Sequence, residues 1–64
     1  MIQFNLPRAT PSFVELADEI GDYVQHLGGE FFCRKHHVEF HVPIKCIDFM
    51  LIRYPVLQME SYVW

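Results

Sequence analysis

From Phe13 to Leu27 apolar side chains return every three or four residues: Phe13, Leu16, Ala17, Ile20, Tyr23, Val24 and Leu27. At roughly 100° per residue this spacing gathers them into one stripe along a helix. Such a helix must lay its stripe on something, so the rest of the chain is expected to supply a surface. Thr10-Pro11-Ser12 marks the start. Either Thr10 caps with Pro11 at the first helical position, or Ser12 caps with Glu15 closing a capping box. Gly28 suits the stop, where a left-handed residue is usual. Gly21 falls at the margin of the stripe. It costs about 1 kcal/mol of helix propensity against Ala, and either admits another backbone or is incidental.

The opposite face carries Glu15, Asp18, Glu19, Asp22, Gln25 and His26, with no Lys or Arg inside the helix. The acids fall three and four residues apart, and each such like-charge pair is unfavourable by about 0.2–0.5 kcal/mol. The whole imbalance of the chain sits here. Up to Gly29 there are one base and four acids, and from Glu30 onward four of each, which accounts for the net charge of −3. Three readings stand side by side. The face is solvated, with acids near a helix N-terminus suiting its macrodipole. Or it docks on a basic surface of another protein. Or it pairs with this chain's own Arg34, Lys35 or Arg53. Phosphates would be repelled, which disfavours DNA or RNA at this face.

After Gly29 the period changes. Val38, Phe40 and Val42 alternate with His37, Glu39 and His41, the pattern of a half-buried strand. Phe31-Phe32-Cys33 is also strand-like. No Gly, Pro, Asn or Asp lies between Glu30 and Val42, so this is either one long bent strand or a hairpin turning near Lys35-His36. Phe49 to Tyr54 reads as a central strand, or as a short buried helix capped by Asp48. Leu57, Met59 and Val63 suggest a strand at the C-terminus, and Ile2 with Phe4 a short first one. The expected class is α+β: one amphipathic helix on a small, mainly antiparallel sheet, in the order β-α-β-β-β with room for a further strand, as a single domain over 1–64. Phe31 and Phe32 either close the core or, with Tyr54, Tyr62 and Trp64, show on an uncovered sheet face.

The chemistry is harder to place. Cys33, His36, His41 and Cys46 have the spacing of a zinc knuckle, and the fourteen-residue stretch 33–46 resembles one to that extent. It lacks the glycines that turn a knuckle around its metal. An extended run puts His37 and His41 about 13 Å apart at roughly 3.3 Å per residue, too far for one zinc with bonds near 2 Å. The plainer expectation is histidines on the exposed parity of a strand and cysteines as small buried hydrophobes. Ser12 and Ser61 sit in no catalytic motif, and Gly21, Gly28 and Gly29 make no phosphate loop. The chain is therefore expected to be no enzyme and to carry no cofactor.

Length sharpens the expectation of a partner. A domain near 64 residues buries only about 60% of its unfolded surface. Yet 52% of the residues are apolar, against a norm of roughly 45–50%. Met1-Ile2-Gln3-Phe4-Asn5 shows no basic segment leading into an apolar one, and no run approaches the roughly 20 residues a membrane span needs. A cytoplasmic setting with reduced thiols is expected, without membrane contact. The leading expectation is a small interaction module that modulates or inhibits a larger protein with a basic surface, of the type phages and mobile elements encode. Its contacts would be Glu15, Asp18, Glu19 and Asp22 on the helix, with Tyr62 and Trp64. Homo-oligomerisation through a sheet edge or aromatic face is expected alongside. The competing expectation is a zinc- or nucleic-acid-binding module centred on residues 33–46.

Overall fold

The computed structural model describes the backbone of residues 1–62 and the side chains of residues 1–57. Strand β1 (Ile2–Pro7) leads to helix α1 (Phe13–His26), strands β2 (Glu30–Cys33) and β3 (His37–Val42), a 3-10 turn at Ile44–Cys46, helix α2 (Ile47–Arg53) and strand β4 (Gln58–Tyr62). The sheet runs β2-β3-β1-β4, every neighbouring pair antiparallel. This βαββαβ order is the split βαβ arrangement. It keeps the expected α+β class and adds an element: a second helix stands before the last strand.

Strand parity decides what the sheet buries. Ile2, Phe4 and Leu6 of β1 and Val38, Phe40 and Val42 of β3 point to one side and are buried. Ile20 and Val24 of α1 cover them, together with Cys46, Met50, Tyr54 and Leu57 from the segment around α2, in one cluster. Each such side chain contributes about 1.5–3 kcal/mol when fully buried. Both helices therefore lie on the same face. They meet where Tyr23 and Tyr54 pack edge to face at 5.8 Å, with the Arg53 guanidinium 4.7 Å from the Tyr23 ring centre. The other sheet face has no helix over it among the described residues.

Several local expectations change. Neither proposed cap forms: Ser12 precedes α1 with a left-handed φ of 58° and makes no side-chain cap bond. Leu16 N–H and Phe13 N–H instead take the backbone carbonyls of Ser12 and Thr10. Gly28 does end the helix at φ 82°. Residues 30–42 are a hairpin. Its chain reverses through Lys35-His36, with the Arg34 N–H donating to the His37 carbonyl at 2.9 Å. Residues 47–53 are the short helix rather than a strand, but Asp48 lies in its first turn and Cys46 holds the cap position. Tyr54 is buried beneath the helices, not displayed on the open face. Phe31 and Phe32, neighbours in sequence, point to opposite faces, and neither belongs to the central cluster.

Candidate functional site

Helix α1 lies across β2 and β3, and its flank away from α2 overhangs the edge strand. Ala17, Asp18, Gly21, Asp22 and Gln25 come to that flank because residues four apart on a helix share a side. With Phe31 and Cys33 of β2 and Val38 of β3 they line an open groove of about 290 Å³. Phe31 pairs with Phe40 in register and so points toward α1. Its ring lies over Gly21, where an added Cβ would meet ring atoms at 3.5–3.8 Å. The floor is thus apolar and the helical rim acidic. Phe31 remains 41% exposed, so its ring is available to whatever enters. No basic side chain among the described residues pairs with Asp18 or Asp22.

The expected acidic face is therefore divided. Asp18 and Asp22 rim the groove, whereas Glu19 turns toward the α1–α2 seam and reaches the Tyr54 hydroxyl. Burial raises the Tyr54 hydroxyl's pKa, and Glu19 adds to the rise while Arg53 opposes it. Arg53, which donates its Nε–H to the Tyr54 hydroxyl at 3.3 Å, is held more firmly protonated by that contact. Glu15 is exposed and outside the groove. Trp64 lies outside the described residues, and of Tyr62 only the backbone, in β4, falls within them.

A second cluster occupies the open sheet face. Glu39, at the middle of β3, receives His37 Nε2 on one carboxylate oxygen and His41 Nε2 on the other, both at 3.2 Å. An ionised carboxylate only accepts, so both imidazoles carry their proton on Nε2. Arg34 Nε adds a third contact at 3.2 Å. Desolvation on the sheet raises the Glu39 pKa, but hydrogen bonds from His37, Arg34 and His41, with the Arg34 charge, outweigh it and bring the carboxyl below its ordinary value. Phe32 packs on the His41 ring at 4.8 Å and beneath Arg34 at 5.5 Å. Arg8 ties this corner to the sheet by donating to the Arg34 carbonyl at 2.9 Å. Neighbouring Gln3 donates to Asn5 at 3.0 Å.

The structure does not bring Cys33, His36, His41 and Cys46 around one point. Cys33 is exposed at the sheet edge and Cys46 is in the core on the helix side. His41 lies on the opposite face, against Glu39 and Phe32. Both cysteines are free. Among the described residues no group of three or more His, Cys, Asp or Glu side chains is placed to hold a metal ion. No helix there is long and apolar enough to cross a membrane.

Two features lay beyond sequence reasoning. The groove joins residues of α1 to Phe31, Cys33 and Val38, and nothing local in the sequence announces that meeting. The exposed side of α2 carries Phe49 at 58% and Ile52 at 82% exposure, beside Ile44 and Val56. Comparison with known protein families, characterised proteins and solved structures returns no match for this chain.

Proposed function

We propose that this chain is a small protein-interaction module, acting by occupying a surface of a larger protein and so modulating or inhibiting it. The observation that carries this reading is the α1–β2 groove: two carboxylates, Asp18 and Asp22, stand over an apolar floor of Ala17, Phe31 and Val38. Two like charges four residues apart on a helix repel each other. A cationic partner would relieve that repulsion while covering Phe31. Burying the apolar floor supplies affinity, and the rim selects for positive charge and speeds encounter. The Glu39 carboxylate is already engaged by Arg34, His37 and His41.

The test is affinity capture from the source cell with the wild-type chain, with Asp18→Lys combined with Asp22→Lys, and with Glu15→Lys. The double variant keeps its fold, because Lys at these positions forms new favourable pairs with Glu15 and Glu19, and circular dichroism checks this. The wild type and Glu15→Lys are expected to recover the same partner, and the double variant to lose it. Recovery of that partner by the double variant removes the acidic groove as the binding site.

A further inference from the structure

Resting on that reading, we propose that the groove's occupant is an extended segment of the partner that adds to β2 as a fifth strand, with basic side chains at alternate positions. The edge is open. β2 is the end of the sheet and pairs with β3 on one side. In an antiparallel ladder the groups of an edge strand not used by its neighbour point outward in a row. Natural edges are blunted by short length, charged side chains, Pro, a bulge or a covering element. β2 is four residues long and carries one charge, Glu30, but it has no Lys, Pro or bulge, and its register with β3 is regular.

The helix gives the guest a side-chain pattern. A strand beside β2 sends every second side chain toward α1, about 6.6–6.8 Å apart. Asp18 and Asp22, four residues apart on the helix, are separated by about 6 Å of rise. Two successive helix-facing residues of the guest thus match the two carboxylates. Lys or Arg fits best, because the aliphatic stem can lie on Phe31 and Ala17 while the charged end reaches the rim. The residues between them fall on the open face beside Phe32, where β-branched apolar side chains suit a strand. Strand addition to an edge, with main-chain bonds for affinity and alternate side chains for specificity, is a general mode of peptide capture. A second copy of this chain fits less well. A two-fold β2–β2 pair would bring two acidic rims together, and Glu30-Phe31-Phe32-Cys33 offers no cation.

The probe is a fluorescent eight-residue peptide of alternating Lys and Val. It is compared with the same residues in block order and with Glu in place of Lys. Anisotropy is read at low salt, and amide hydrogen exchange is followed in β2. The alternating Lys peptide should bind roughly tenfold or more tightly than either control, and Asp18→Asn with Asp22→Asn should remove that preference. Exchange at the outward β2 amides should slow on binding. Equal binding of the block-order peptide, or binding without β2 protection, overturns strand addition while leaving the groove as the site. Concentration-dependent dimerisation that protects β2 without peptide overturns it in favour of a second copy. If no peptide binds while partner capture still depends on Asp18 and Asp22, strand addition fails and the interaction reading stands. If that capture fails as well, both fall.

Discussion

Gly29 stands where the chain leaves α1 and enters β2, and no side chain fits there. A Cβ would press on the His41 carbonyl oxygen, with Val24 Cγ1 2.9 Å away. The first obstacle is backbone inside a paired strand and the second belongs to a fully buried core residue, so neither yields easily. Gly29→Ala should therefore destabilise the domain by about 1–3 kcal/mol, as overpacking does, seen as a melting point lower by several degrees. An unchanged midpoint would mean that the approach of α1 to β3 is looser than the structure has it. Gly28 reads in sequence as the helix stop, and Gly29 only as its neighbour. The stop is real, but the packing demand on the second glycine comes from a strand twelve residues further on and leaves no local mark.

At the scale of elements, α1 and β3 were the legible parts. Each shows its own period, 3.6 for the stripe and 2 for Val38, Phe40 and Val42. The same parity, carried back through the hairpin register, separates Phe31 from Phe32, and that signal was present in the alternation. What blocked it was the turn. Lys35-His36 has none of the Gly, Asn or Asp usual in tight hairpins, and no described residue there adopts a positive φ. Helix α2 was ambiguous because four consecutive apolar residues carry no period. Gly21 brings an element-scale prediction. It lowers the helix propensity of α1 yet leaves room for a methyl group at ordinary contact with the Phe31 ring. Gly21→Ala should stabilise the domain by up to about 1 kcal/mol, measured by denaturant midpoint. A loss of stability would show that Phe31 cannot accept the contact.

The whole molecule is two layers thick, with helices on one side and a polar network on the other. That asymmetry makes its stability depend on acid. The Glu39 carboxyl is held below its ordinary value of 4.5 in the folded chain. As pH falls below that value the unfolded state binds a proton first, so the unfolded state carries more protons and stability drops. The contribution is complete above the unfolded value and lost as pH passes down through the folded one. Thermal melting between neutral pH and pH 3 should show that decline, and Glu39→Gln should flatten it. An equally steep decline in the variant would place the acid sensitivity in other carboxylates. The Glu39 cluster is half visible in the sequence: the shared parity of His37, Glu39 and His41 places them on one face, but their convergence on a single carboxylate depends on side-chain reach.

The two thiols occupy opposite extremes of accessibility. Cys33 opens into the groove, while Cys46, at the head of α2, is 4% exposed. A small alkylating reagent therefore has two clocks in one chain. Modification of Cys33 times the vacancy of the groove and should slow when a ligand fills it. Modification of Cys46 waits for the core to open, so its rate follows the unfolding equilibrium. Mass spectrometry of the two sites, taken from one sample, would separate a ligand that merely covers the groove from one that also steadies the fold.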